Sequence, residues 1–188
     1  MQKDNFYILT GGPGTGKTTL IHALQHAGYK SVEEDARRII SEQIACGGEA
    51  LPWKNKELYA SFMLEASIKS FDKIKHSVSK EPVFFDRGVL DAVCYMRMED
   101  IALSKRFKAQ VEQCAYHKKV FILPPWKAIY EQDEERKQNW YDAENTYEWM
   151  RQTYLSFDYS LIEIPRSSVA ERCQFIRKYI SQITSIKL

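Results

Sequence analysis

Eight consecutive residues, Gly11-Gly12-Pro13-Gly14-Thr15-Gly16-Lys17-Thr18, join a run of glycines to a lysine and a hydroxyl side chain. Glycines let the backbone curl until successive N–H groups point inward, and such a ring of donors suits phosphate oxygens. The spacing is G-x-x-x-x-G-K-[ST]. It places Lys17 to neutralise the β- and γ-phosphates of a nucleoside triphosphate and the Thr18 hydroxyl to ligate Mg²⁺. A turn that merely joined a strand to a helix would need neither residue. Gly11, Gly12, Pro13, Gly14, Thr15, Gly16, Lys17, Thr18 and the adjoining Thr19 are the expected nucleotide-binding residues, with ATP and Mg²⁺ as cofactors.

The apolar run Val83-Phe84-Phe85 ends in Asp86-Arg87-Gly88. Working residues of open α/β sheets sit at the carboxyl ends of strands, so Asp86 is the expected second Mg²⁺ contact, direct or through water. Asp86 also suits a cap for the helix that opens at Gly88. Motor ATPases commonly follow this aspartate with a glutamate that polarises the attacking water. Arg87 stands here instead; it cannot act as a base but can pair with phosphate or acceptor oxygens. That favours transfer to a bound acceptor over hydrolysis.

Transfer needs a group to orient the acceptor hydroxyl and take its proton. Glu33, Glu34 and Asp35 follow the second strand; Glu34 is expected in that role, with Arg37 anchoring the acceptor. The same acidic run suits an ordinary helix N-terminus. Glu131 to Lys137 is densely charged and follows the fourth strand. Residues 126–141 are therefore expected to form a lid that brings Arg136 and Lys137 onto the phosphates, though a solvated helix has the same pattern. The expected catalytic set is Lys17, Glu34, Asp86, Arg87 and Arg136. The turn Ile164 to Ser168 falls where a base would lie, and no Asn-Lys-x-Asp element for guanine follows a strand, so adenine is expected. Trp53, Trp126, Trp140 and Trp149 are expected to pack, some of them against an acceptor.

These residues need elements to hold them. Strands are expected at Phe6 to Leu9, Tyr29 to Val32, Val83 to Phe85, Val120 to Leu123 and Tyr159 to Ile164. Helices are expected between them. One starts at Lys17 and is stopped by Gly28; the next has Ala36, Ile39, Ile40 and Ile44 on one side. Others run over Glu57 to Ile74, Leu90 to Arg97 and Leu103 to Tyr116, and around Ala143 to Tyr154. A last one opens at a Ser168–Glu171 capping box. Strands separated by helices imply a parallel sheet covered on both faces, in one α/β domain.

At 188 residues the chain suits one domain over 1–188, and its 27 basic and 25 acidic residues leave a net charge of only +2. That balance makes nucleic acid an unlikely partner. No apolar run approaches the ~20 residues that span a bilayer, so the expectation is a cytoplasmic protein without a membrane partner. Cys46, Cys94, Cys114 and Cys173 form no CxxC pair and read as buried or half-buried thiols.

Gly11 to Thr18, Glu34 to Ile40, Phe84 to Gly88, Pro124-Pro125-Trp126, Asp133 to Gln138 and Ile162 to Pro165 together resemble a bacterial family of small ATPases labelled "AAA domain". That family is similar to P-loop kinases rather than to ring ATPases, and the resemblance runs from about Tyr7 to Ile180. Its wider clan includes nicotinamide riboside kinase-like, deoxynucleoside kinase-like and nucleotide kinase-like enzymes. The resemblance implies a three-layer P-loop NTPase fold with a five-stranded parallel sheet of order 2-3-1-4-5, and a lid after the fourth strand. It also implies phosphoryl transfer to a small acceptor. Asp86-Arg87 is similar to the acidic-Arg pair at the same strand end in deoxynucleoside and thymidylate kinases. The function expected is a Mg²⁺-dependent kinase that phosphorylates a small-molecule, nucleoside-like hydroxyl. The alternatives are an ATPase or nucleotide-dependent switch acting through a protein partner, and a polynucleotide end kinase.

Overall fold

The structure is a computed structural model that describes residues 4–76, 80–129 and 140–186. Its strands are β1 (Phe6–Gly11), β2 (Lys30–Val32), β3 (Val83–Asp86), β4 (Lys119–Leu123) and β5 (Ser160–Glu163). All pairings are parallel and the order is β2-β3-β1-β4-β5, as the family resemblance implied. The apolar runs explain the order. Every residue of β1 is buried, and β3 and β4 are buried apart from one terminal residue each. Strands covered on both faces have no solvent side for polar residues to occupy. The two edge strands, β2 and β5, contain no fully buried residue.

Side chains alternate across a strand, and two hydrophobic cores result. Phe6, Ile8, Val83 and Phe85 face one layer of helices, while Tyr7, Leu9, Phe84 and Phe121 face the other. The second layer consists of α1 (Lys17–His26) and the last helix, Val169–Ile186, which meet through Leu20, Leu24 and Ile176. Gly28 ends α1 in the left-handed region at φ 91°, where a side chain would be strained. Ser168 and Glu171 form the expected capping box: the Ser168 N–H donates to Glu171 Oε2 at 3.0 Å, and the Glu171 N–H donates to Ser168 Oγ at 3.3 Å.

The first layer is built from α2 (Asp35–Ala45), α3 (Lys56–Ile74), α4 (Val89–Met98), α5 (Lys105–Gln113) and α6 (Trp140–Leu155), and the closing helix becomes α7. Three expectations need correction. Ile44 does not share a buried face with Ile39: it is 60% exposed, and Ile39 is the one buried residue of α2, packed against Tyr59 and Ala66 of α3. α2 packs against α3, which covers Ile39 but leaves Ile44, in the last turn, exposed. The helix expected to run to Tyr116 ends at Gln113, so that Cys114 and Tyr116 can enter the core. Cys46 is exposed, whereas the other three cysteines are buried.

Because all five strands run the same way, their carboxyl ends share one edge of the sheet. Gly11, Glu34, Asp86 and Pro124 emerge there. Among the described residues, no helix is long and apolar enough to cross a membrane.

Candidate active site

The phosphate loop leaves β1 at Gly11 and delivers the chain into α1. Thr15 is buried and its hydroxyl donates to the Gly12 carbonyl at 2.9 Å, which ties the loop to itself. Gly16 has φ 77°, a conformation that strains any side chain, and a Cβ there would lie 2.9 Å from Arg172 Nη1, which would have to shift. Gly16 caps α1 without a side-chain hydrogen bond, and the first turn holds no acidic residue. The first N–H groups of α1 are therefore left for an external anion, where the helix dipole favours negative charge. Thr18 and Thr19 stand exposed on that turn, and Lys17 is buried. From α7, buried Arg172 donates through Nη1 to the Thr15 carbonyl at 3.2 Å and lies 5.7 Å from the Trp126 ring centre.

Lys17 Nζ lies 2.6 Å from Asp86 Oδ1 and 3.7 Å from Glu34 Oε2. The closer approach is a tight, buried ion pair that holds Lys17 against the end of β3. Arg87 adopts φ 70°, an uncommon conformation for a non-glycine residue, while its N–H donates to the Leu9 carbonyl at 3.0 Å. Its guanidinium donates to Glu34 Oε1 at 2.7 Å and to Asp91 Oδ1 at 3.2 Å. Glu34 occupies the N-cap position of α2 but makes no capping bond; its carboxylate turns to Arg87 instead.

Asp91 carries the arrangement and was not singled out from the sequence. It accepts hydrogen bonds from the hydroxyls of Thr10 and Tyr154, each at 2.5 Å, and from the Gly88 N–H at 2.9 Å. It closes the start of α4 by accepting from the Gly88 N–H, no side chain caps that helix, and Asp86 faces Lys17 instead. Its position three residues after Gly88, where a capping-box acid belongs, was the available signal.

Burial works against the charge on Glu34, but the opposing charges of Arg87 and Lys17 and the Arg87 hydrogen bond outweigh it, so its pKa is lowered. Burial likewise works against the Arg87 cation, and Glu34, Asp91 and Asp86 more than compensate, keeping it charged. The Tyr59 phenol is pushed up to about 12, by burial first and then by the nearby Glu34 charge.

Oxygen donors suit a hard cation, and the hydroxyl of Thr18 with the carboxylate of Asp86 is a pair that fits Mg²⁺. Among the described residues, no group of three or more His, Cys, Asp or Glu side chains could hold a metal alone. Few protein ligands completed by phosphate oxygens is the usual arrangement for a nucleotide-borne Mg²⁺.

A cavity of about 260 Å³ adjoins these residues. Pro13 of the phosphate loop, Glu34, Asp86, Arg87 and Asp91 line it. Tyr59 and Met63 of α3, Tyr95 and Met98 of α4, and Thr146 and Met150 of α6 complete its walls. Tyr59 and Tyr95 meet edge to face, with ring centres 5.4 Å apart.

Of the residues expected from sequence, Lys17, Glu34, Asp86 and Arg87 converge beside the loop. Arg37 is exposed on α2 and does not line the cavity, though its charge still helps to lower the Glu34 pKa. Arg136 and Lys137, with residues 130–139 of the expected lid, lie outside the described residues. The turn after β5 is tied to the end of β4, where Arg166 Nε donates to the Pro125 carbonyl at 3.0 Å. No tryptophan lines the cavity, and Trp53 is 63% exposed rather than packed.

Three solved structures share this architecture at low identity. NadR protein in complex with NR aligns at TM-score 0.65 and 16% identity over 94% of this chain and 50% of that one, so the chain spans about half the length of NadR. Thymidylate kinase from Ehrlichia chaffeensis aligns at TM-score 0.61 and 15% identity, over 95% of this chain and 98% of the other. YorR protein from Bacillus subtilis, in complex with phosphorylated GDP, gives TM-score 0.60 and 16% identity, over 96% and 98%. At such identities the likeness speaks for the fold. No curated protein sequence matches the chain. A family model described as an AAA domain matches residues 6–172, most of the chain. The chain shares the fold of P-loop NTPases and belongs to that AAA-domain family.

Proposed function

We propose that the protein is a Mg²⁺-dependent phosphotransferase that moves the γ-phosphoryl group of ATP to a hydroxyl of a small molecule held in the cavity. One observation carries the reading: Pro13 of the phosphate loop lines the same cavity as Glu34, Asp86 and Arg87. A donor phosphate on the loop and an acceptor in the cavity would thus be neighbours, and positioning is the larger part of phosphoryl transfer.

Lys17 is held by the carboxylates of Glu34 and Asp86. On triphosphate binding it pairs with phosphate oxygens, and the N–H groups of the loop and of α1 take the remainder. Glu34 then loses one of the cations that lower its pKa, which makes it a better proton acceptor. The acceptor oxygen forms a bond to the γ-phosphorus as the bond from that phosphorus to the β,γ-bridging oxygen breaks. ADP leaves, and the hydroxyl proton passes to Glu34. Arg87, fixed by Glu34 and Asp91, stabilises charge on the transferring group. Mg²⁺, when bound through Thr18 and Asp86, supplies charge neutralisation at the phosphates.

The test is a product screen of the purified protein with Mg²⁺ and ATP across hydroxyl compounds, read by mass spectrometry. The expected result is a phosphorylated product from one acceptor class. Glu34→Gln is expected to hold ATP nearly as well while transfer falls by about 10²–10⁴-fold. Fast, saturable hydrolysis of ATP with no acceptor present would overturn the reading.

A further inference from the structure

One side chain of α7 holds the phosphate loop from outside. Arg172 and Thr15 are 157 positions apart in sequence, yet the Arg172 guanidinium rests on the loop. Its Nη1 donates to the Thr15 carbonyl at 3.2 Å, and Nη1 and Nη2 lie 2.9 and 3.2 Å from the place of a Cβ on Gly16. The residue is only 4% exposed. The capping box of α7 sets its position: the Arg172 N–H donates to the Ser168 carbonyl at 3.0 Å, and the neighbouring Glu171 turns to Ser168. Trp126 lies against the guanidinium from the segment after β4, and Ile129 Cδ1 is 3.4 Å from the same point over Gly16.

Packing alone does not explain a cation in that place. The start of α1 carries the positive end of the helix dipole, which favours anions and works against a guanidinium. Burial works against it too, and lowers the Arg172 pKa. Among the described residues, its buried Nε meets no acceptor. The arrangement therefore costs free energy until an anion binds the loop. What it provides is a charged donor on one particular peptide group. The Thr15 carbonyl and the Gly16 N–H belong to the same amide. A charge-assisted hydrogen bond at that carbonyl draws electrons toward the oxygen and makes the N–H a stronger donor. Gly16 caps α1, and its N–H is one of those the loop's spacing aims at phosphate.

We infer that Arg172 is a positioning residue of the nucleotide site: it fixes the curl of the phosphate loop and, through the Thr15 carbonyl, strengthens the Gly16 N–H as a donor to bound phosphate. This rests on phosphate binding by the loop and not on transfer to an acceptor, so it can be measured with a nucleotide that is not hydrolysed.

The experiment is isothermal titration of the full chain with AMP-PNP and Mg²⁺, for the wild type, Arg172→Met and Arg172→Lys, with the Gly16 amide proton followed by NMR in each complex. Arg172→Met keeps an unbranched stem against Trp126 but no donor, and affinity is expected to fall about ten- to hundredfold. Arg172→Lys restores a charged donor and should recover most of that loss. The Gly16 amide proton should move upfield in the Arg172→Met complex, and by more than those of Gly14 and Thr18; a mere loss of packing would disturb all three alike. The melting temperature of the nucleotide-free Arg172→Met protein should hold or rise, because a buried cation has left the positive end of α1. Should Arg172→Met fail to fold, Arg172→Gln, with a neutral donor, takes its place under the same criteria. Affinity within about threefold of the wild type overturns the inference, whatever the melting temperature does. So does an Arg172→Lys protein as weak as Arg172→Met, or a Gly16 amide proton that stays in place. A wild type that binds no AMP-PNP would sink the phosphate-loop reading and the inference with it. Binding that depends on Arg172, without transfer to any hydroxyl compound, would sink the transferase reading alone.

Discussion

The phosphate loop and the cavity beside it are built in opposite ways. The loop is eight neighbours in sequence whose geometry follows from glycine conformations and the start of one helix. The cavity draws its lining from the ends of β2 and β3 and from α3, α4 and α6. The loop therefore keeps its chemistry wherever a strand feeds a helix through that spacing, whereas the cavity owes its chemistry to how distant helices lie on the sheet. Between them stand Lys17, Glu34, Asp86, Arg87 and Asp91, an ion-pair chain that belongs to both.

The largest effect should come from the loop. Lys17→Ala is expected to lower transfer by at least about 10³-fold, as loss of a charge-stabilising donor does, with triphosphate affinity falling in titration. A variant that kept triphosphate affinity within tenfold would break the assignment of Lys17 to phosphate. In stability, the ordering should reverse toward the cavity. Asp91→Ala is expected to cost about 3–5 kcal/mol in urea unfolding, because it takes one of the two carboxylates from buried Arg87 and removes the partner of two hydroxyls and one N–H. Asp86→Asn, which leaves Lys17 its second carboxylate in Glu34, should cost less, about 1–2 kcal/mol. Equal costs would mean that Asp91 is no keystone.

Gly16→Ala should come next. It places a side chain at φ 77° against Arg172 Nη1, and a loss of about 1–3 kcal/mol is expected together with weakened triphosphate binding. The smallest effect concerns pH. Glu34 has a folded pKa below the ordinary value of 4.5, so its pairing contributes stability that is complete above that value and lost as pH falls through the folded one. The stability difference between the wild type and Glu34→Gln should therefore shrink as the solution is acidified below pH 4.5. A difference that stayed constant through that range would mean Glu34 is not held charged by Arg87 and Lys17.

What the sequence disclosed follows the same division. Three inner strands could be read from apolar runs without polar alternation, and the sheet order from the family resemblance. Lys17, Glu34, Asp86 and Arg87 were legible because each sits at a strand end or in the loop, where position along the chain fixes position in space. Asp91 was not: its partners Thr10 and Tyr154 are 81 and 63 residues away, and periodicity carries no such distance. Tyr95 and Thr146 read as ordinary helical residues until α4 and α6 become walls of the cavity. Ile44 shows the converse, since a helical stripe says which residues share a face but not whether another element covers it.

The central claim is that the phosphate on the loop is meant for an acceptor in the cavity and not for water. The most direct measurement is ADP release by the purified protein with Mg²⁺ and ATP, with and without a hydroxyl compound that binds the cavity. The expected result is a slow basal rate, a rise of at least about a hundredfold with the acceptor, and one phosphorylated product per ADP. A fast rate that the acceptor leaves unchanged, with inorganic phosphate as the product, would contradict it.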